Sequence, residues 1–340
     1  MNIDPLEARA AWFIGPRSVE IRTEQVAAPG PGQIRVKALA SAISHGSEML
    51  VYRGQVDPAL PLDLPTFAGD FSFPIKYGYA SVGRVRDVGP AVVSHAPGDL
   101  VFCLHPHQSL YTLQTSLATR LPAAIDPTLG IFCANLETAL NIAHDAPIKL
   151  GETAVVFGQG VVGLLVAQLL RLAGAARVLA VEPDERRRGL ALALGADAAL
   201  APGPALGEQL RAANGGQPAD LAVEVSGAPS ALQAAIDSVL VEGTVVVASW
   251  YGRKPVSLDL GGHFHRGRVT LRSSQVGRLS PGLGPRWDYA RRSAAVAALL
   301  PRLRLAELIS HSLPFERAAE AYQLVDEGVD GVMQVVLSYR

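Results

Sequence analysis

Between Thr153 and Ala173 the chain runs through a short apolar segment, a Gly-x-Gly-x-x-Gly turn and a long apolar segment of helical length. No other stretch constrains the fold as strongly. Thr153–Phe157 reads as a buried strand and Val161–Ala173 as the helix that follows it. In the turn, Gly158 permits a tight reversal and Gly160 lets the backbone approach a diphosphate. Gly163 lets the helix pack close to the strand. The amides of Val161 and Val162 open the helix, where free N–H groups and the helix dipole favour negative charge. The pattern is that of a dinucleotide-binding turn. An acid is then expected about twenty residues on, after the second strand. Glu182 stands there, directly after Arg177–Val181. Its carboxylate can accept hydrogen bonds from ribose hydroxyls and would repel a 2′-phosphate. That favours NAD(H), with NADP(H) as second choice because Arg186, Arg187 and Arg188 follow closely. These arginines read first as a solvated helix face; alternatively Arg187 covers the adenine or ribose.

The alternation continues beyond this unit. Asp184–Leu194 reads as a helix, Leu221–Val225 and Thr244–Ala248 as buried strands, Pro229–Val239 as the helix between them, and Val269–Arg272 as another strand. Such a sequence predicts an α/β, doubly wound parallel sheet. Ligands of these sheets bind beyond the C-terminal strand ends. Ser226, Ser249 and Ser274 (with Ser273 and Gln275) stand at those ends, as candidates for the nicotinamide ribose or carboxamide. The first third is different. Ser18–Ile21, Gln33–Ala38 and Ala80–Val88 are strand-like and separated by Pro/Gly turns, as in a compact β fold. After Gln275 come a Gly/Pro-rich loop (Gly277–Pro285), a helix over Trp287–Leu300, a short strand-like run at Leu308–Ser310, a helix over Glu316–Glu327 and a strand over Gly331–Leu337. The reading is therefore two domains: a discontinuous β-rich one over 1–121 and 276–340, and a dinucleotide-binding one over 122–275.

Composition removes several functional classes. Thirty Lys and Arg stand against 31 Asp and Glu, a net charge of -1, which argues against a nucleic-acid partner. No apolar run reaches the length of a membrane span. The N-terminal MNIDPLEARAAWF bears acids early and does not read as a signal peptide, so a cytoplasmic location is expected. Cys103 and Cys133 are the only cysteines, too few for a disulfide framework or a four-cysteine zinc lobe.

Several segments in order carry a family resemblance. They are Pro29–Lys37, Tyr77–Val85, Pro97–Val101, the glycine fingerprint, Leu194–Asp197, Val223–Gly227 and the closing Ala318–Val336 stretch. Together they resemble the medium-chain dehydrogenase/reductase superfamily, the alcohol dehydrogenase-like proteins. The resemblance implies a GroES-like β domain plus a Rossmann domain, with catalysis in the cleft between them. It also implies a small-molecule substrate and a homodimer or homotetramer, using the sheet edge near Leu258–Leu271. The departures are informative. Zinc-dependent members carry a cysteine ligand where this chain has His45, in Ile43-Ser44-His45-Gly46-Ser47-Glu48. Their histidine ligand and its acidic neighbour are here Tyr79 and Ala80. A later acid survives as Glu137. A catalytic zinc needs three protein ligands, so a zinc-free member is expected. The alternative is a rearranged site using His45, His105, His107 or Glu137, since His-x-His on a strand puts both rings on one face. The Ile43–Glu48 segment is similar to that of bacteriochlorophyllide dehydrogenase-type proteins; the pigment substrate does not follow from it.

Without a metal, some donor must stabilise the negative oxygen of the reaction. His45, Ser47 and Tyr79 are the candidates. Ser47 matches the hydroxyl that relays protons in alcohol dehydrogenases, His45 titrates near neutral pH, and Tyr79 offers a phenol. By the resemblance, Glu48 orders the loop. The clusters Gly261–Arg268 and Pro285–Arg292 read equally as substrate mouth, oligomer contact or capping. The expected function is a zinc-independent, NAD(H)-dependent alcohol dehydrogenase or carbonyl reductase. Its rivals are an NAD(P)H-dependent quinone or enoyl reductase and a non-catalytic dinucleotide-binding scaffold or redox sensor.

Overall fold

The computed structural model describes residues 5–62, 66, 69–251, 254–328 and 331–340. The first four residues, and 329–330 in the closing stretch, lie outside that set. Two compact units are present: Met1–Ala134 with Ala297–Arg340, and Asn135–Val296. The units end at 134 and 296, where the sequence reading set its boundaries at 121 and 275. Gly130 shows why the first unit runs on past 121: a Cβ there would sit 2.6 Å from Leu121 and 3.0 Å from Val82.

The first unit opens with an antiparallel hairpin, β1 (Leu6–Gly15) and β2 (Ser18–Val26). Next come β3 (Gln33–Ile43), α1 (Ser47–Tyr52), β4 (Ser81–Val88), β5 (Leu100–Cys103), β6 (Leu110–Gln114), β7 (Ala118–Arg120) and α2 (Pro127–Gly130). β3 is central and pairs antiparallel with both β4 and β6. The segment from Leu104 to Pro106 is irregular, so His105 and His107 do not share a strand face as their spacing had suggested.

The helix α3 (Cys133–Asp145) leads into the second unit, which holds β8 (Thr153–Phe157), α4 (Val161–Ala173), β9 (Arg177–Val181), α5 (Glu185–Ala193), β10 (Ala198–Leu200), α6 (Leu206–Ala213), β11 (Ala219–Glu224), α7 (Pro229–Ser238), β12 (Val239–Val247), β13 (Thr270–Ser273) and α8 (Tyr289–Leu299). The six strands form one parallel sheet in the order β10-β9-β8-β11-β12-β13. In chain order this is 3-2-1-4-5-6, the Rossmann arrangement. All five residues of β8 are buried. A strand covered on both faces is apolar throughout instead of alternating, which is why its limits could be read directly from sequence.

The chain then returns to the first sheet with β14 (Ile309–Pro314), α9 (Ala318–Asp326) and β15 (Gln334–Ser338). β15 pairs antiparallel with β3 and parallel with β14. In α9 the buried positions are Ala318, Ala321, Tyr322 and Val325, one face of a helix. Tyr322 packs edge-on against Phe13, with ring centroids 5.0 Å apart, and stacks on Tyr52 at 5.2 Å. Among the described residues no helix is long and apolar enough to cross a membrane.

Candidate functional site

At the second unit's glycine turn, Gly158 adopts φ +97°, and a Cβ there would stand 2.8 Å from the Ser226 backbone. A Cβ on Gly163 would come within 1.9 Å of the Gly158 carbonyl oxygen. Neither position tolerates a side chain. Gly160 differs: nothing lies within 4 Å of its missing Cβ. Open space thus lies at the start of α4, whose first helical bond runs from Leu164 N to the Gly160 carbonyl at 3.0 Å. The Val161, Val162 and Gly163 amides precede that bond and are the donors an anion would meet. These contacts fit a diphosphate.

Glu182 ends this cradle. It is 5% exposed; Oε2 accepts the Gln159 amide at 2.7 Å and Oε1 accepts the Asp184 amide at 3.2 Å. Each carboxylate oxygen has two lone pairs, so one acceptor position per oxygen remains for ribose hydroxyls. Arg188 donates to the carbonyls of Glu182 and Pro183 at 2.9 and 2.7 Å. Arg187, half-buried, gives its amide to the Asp184 cap of α5 at 2.9 Å. The arginines therefore do more than present a solvated face: Arg188 braces the turn that carries the acid.

At the end of the neighbouring parallel strand β11, Glu224 is a carboxylate that the sequence reading missed. It is fully buried at the end of β11. Its Oε1 accepts from Ser226 N (2.7 Å), Ser226 Oγ (2.6 Å) and Gly227 N (3.0 Å), and its Oε2 from the Tyr251 hydroxyl (2.6 Å). Burial, then the bond to Glu224, raises the Tyr251 pKa, so this phenol stays protonated as a donor. Ser249 Oγ accepts the Gly227 amide at 2.8 Å. Ser226 and Ser249 thus belong to one ordered loop. Ser274 belongs to another group: its Oγ accepts from Asn141, which also donates to the Gln275 carbonyl, both at 3.3 Å. Arg292 holds this group by donating to Asn141 Oδ1 (2.9 Å) and the Val276 carbonyl (2.7 Å).

In the first unit, the turn between β3 and α1 meets the segment before β4. Tyr79 Oη lies 3.0 Å from Ser47 Oγ and donates to Ser44 Oγ. Burial, then the Glu48 charge, raises the Tyr79 pKa, which keeps it protonated at neutral pH. Two of the expected residues, Ser47 and Tyr79, are therefore brought together, with Ser44 as an unforeseen third. His45, half-buried, occupies the turn between Ser44 and Gly46. Beneath lies a buried clamp. Glu48 Oε2 accepts the Ser44 amide at 3.0 Å, while Oε1 is 2.8 Å from His107 Nε2 and accepts from Tyr322. His107 Nδ1 is 2.6 Å from Ser41 Oγ, which is 2.8 Å from the Tyr339 hydroxyl. Gly78 leaves room for this: a Cβ there would lie 2.6 Å from the His107 ring.

Zinc does not fit these donors. Both His107 nitrogens are committed, and Tyr79 at the expected histidine position serves the hydroxyl cluster. His105 stacks on Tyr111, with centroids 3.7 Å apart, and its Nδ1 is 3.0 Å from the Pro106 carbonyl. Burial pushes its pKa down to about 3. Glu137 Oε1 is taken by Arg292 through Nε (3.0 Å) and a terminal nitrogen (2.7 Å). Among the described residues, no three His, Cys, Asp or Glu side chains are grouped to hold a metal ion.

Residues 161–289 match the family model described as zinc-binding dehydrogenase. The chain is 30% identical over 293 residues to (R,R)-butanediol dehydrogenase of Bacillus subtilis, covering 76% of this chain and 80% of the relative. It is 27% identical over 359 residues to 2-desacetyl-2-hydroxyethyl bacteriochlorophyllide A dehydrogenase of Cereibacter sphaeroides, covering 98% and 99%. Two solved dehydrogenase structures share the fold over 98% of this chain and 99% of theirs. One, from Sinorhizobium meliloti 1021, is bound to NADP (TM-score 0.79, 20% identity). The other, from E. coli CFT073, is complexed with NADH (TM-score 0.81, 18% identity). A parallel sheet in Rossmann order, a glycine turn built for a diphosphate and relatives of this identity and coverage lead to one assignment: the chain belongs to the medium-chain dehydrogenase/reductase superfamily, the alcohol dehydrogenase-like oxidoreductases.

Proposed function

We propose that the protein is a zinc-independent, NAD(H)-dependent oxidoreductase acting on an alcohol or carbonyl substrate. The observation that carries this reading is the Ser44–Tyr79–Ser47 hydroxyl cluster, in which Tyr79 stands where zinc-dependent members carry their histidine ligand. When bound, the nicotinamide supplies or accepts the hydride. The chain's own task is then to hold the coenzyme and to manage one proton and one negative oxygen. Val161, Val162 and the open space at Gly160 would receive the diphosphate, and Glu182 the adenosine ribose. The loops around Ser226, Ser249 and Ser274 are the candidates for the nicotinamide half. The protonated Tyr79, between two serine hydroxyls, supplies donors to an oxygen that gains charge. Both relatives are named as dehydrogenases, which supports alcohol chemistry over reduction of a C=C bond. A cytoplasmic homodimer or homotetramer completes the reading, with light scattering as the check on assembly.

Preference for NAD(H) rests on Glu182, whose free lone pairs suit hydroxyl donors and oppose a 2′-phosphate. Calorimetric titration of the full chain with NADH and with NADPH tests it. NADH is expected to bind at least about tenfold tighter, or 1.4 kcal/mol, and Glu182→Ala is expected to narrow the gap. Tighter NADPH binding would reverse the preference. No heat with either coenzyme would remove the reading altogether.

A further inference from the structure

We infer that Ser44 is the hydroxyl that meets the substrate oxygen, with Tyr79 and Ser47 lined up behind it as its proton supply. The inference rests on the hydride-transfer reading above and names a residue that neither the fingerprint nor the family resemblance singles out.

A hydroxyl carries one hydrogen and two acceptor positions. Tyr79 gives its hydrogen to Ser44 Oγ. Ser47 Oγ, 3.0 Å from Tyr79 Oη, must therefore be the donor of the second bond in the cluster. Ser44 Oγ also receives the Gly46 amide, at 3.4 Å. Both acceptor positions of Ser44 are then in use, and its own hydrogen has no acceptor among the described residues. The direction of the chain is fixed: Ser47 to Tyr79 to Ser44, ending in one uncommitted donor on a half-buried side chain.

That donor is held in place from below. The Ser44 amide is tied to Glu48, a fully buried carboxylate whose other oxygen is bonded to His107 and Tyr322. A donor fixed before the reaction begins costs no reorganisation when charge appears, the condition for stabilising an alkoxide. In carbonyl reduction, the hydride adds to carbon with its electron pair and the π pair of the C=O bond moves onto oxygen. The Ser44 proton passes to that oxygen. The Tyr79 proton restores Ser44, the Ser47 proton restores Tyr79, and water restores Ser47, leaving hydroxide in solvent. Alcohol oxidation runs the same chain backwards.

The test uses the full-length protein and a carbonyl substrate that the wild type reduces with NADH. Ser44→Ala is expected to lower kcat by about 100-fold, the scale of a lost general acid, with NADH affinity unchanged by calorimetry. Ser44→Thr, which keeps the hydroxyl, is expected to recover most of that loss. In wild type, the rate should depend non-linearly on the deuterium fraction of the solvent, as several protons move together; in Ser47→Ala that curvature should shrink. A Ser44→Ala enzyme close to wild-type rate, or a Ser44→Thr enzyme as slow as the alanine variant while still folded and binding NADH, overturns the assignment. Absence of any NADH-dependent turnover in wild type overturns the hydride-transfer reading itself, a separate result.

Discussion

His105 and His107 stand two residues apart and do different work. His107 has both ring nitrogens bonded and holds Glu48 beneath the hydroxyl cluster. His105 lies flat on Tyr111, and burial lowers its pKa from the ordinary 6.5 to about 3. Between those two values the unfolded chain binds a proton that the folded chain refuses. Stability is therefore full above about pH 6.5 and falls as the pH drops toward 3. His105→Phe, which keeps a stacking ring, is expected to remove this dependence: between pH 6.5 and 5 the variant should lose roughly 1–2 kcal/mol less than wild type. Urea midpoints at the two pH values measure it, and equal losses would count against the burial argument. None of this was visible in the His-x-His spacing, which suggested a shared strand face and read as a pair of polar groups, with metal ligation as the alternative. Partners 59 residues apart, such as Glu48 and His107, leave no local signal. Glu182 did leave one, because its position is fixed by the length of one strand–helix–strand unit.

Among the elements, β8, α4 and β9 coincide with the sequence reading residue for residue. Both strands sit inside a parallel sheet, where burial on two faces produces unbroken apolar runs bounded by turns. Strands of the first unit were read only in part. β3 runs to Ile43 where the reading stopped at Ala38, and β6 was not read at all. Antiparallel strands with one covered face give a weaker pattern, and pairing across the sheet decides their ends. The helix α3 was also missed, and with it the partner of Glu137. Arg292 on α8 binds Glu137 and Asn141 of α3 together with the carbonyl of Val276. Its side chain is 4% exposed against 28% for Glu137, so the pair is shielded on the arginine side only. Arg292→Ala should leave these acceptors unsatisfied and cost on the order of 3 kcal/mol, with Arg292→Lys recovering part of it. Thermal unfolding followed by calorimetry is the check; a midpoint unchanged in the alanine variant would show that the network contributes little.

At the scale of the whole molecule, the chain keeps a dehydrogenase framework while its donor set departs from zinc ligation. The second unit retains each part of the dinucleotide cradle: two sterically enforced glycines, an open third one, a helix start and a buried acid. The first unit retains the β-sheet that positions residues 44–48 and 79, but has His45 and Tyr79 at the family's ligand positions and a Ser44–Tyr79–Ser47 hydroxyl cluster backed by a buried carboxylate–imidazole pair. The most direct test of this account is NADH-dependent carbonyl turnover by protein treated with a strong chelator and shown by elemental analysis to be free of zinc. The account expects the rate of the stripped protein to equal that of untreated protein. A rate that collapses on stripping and returns when Zn²⁺ is added would contradict it.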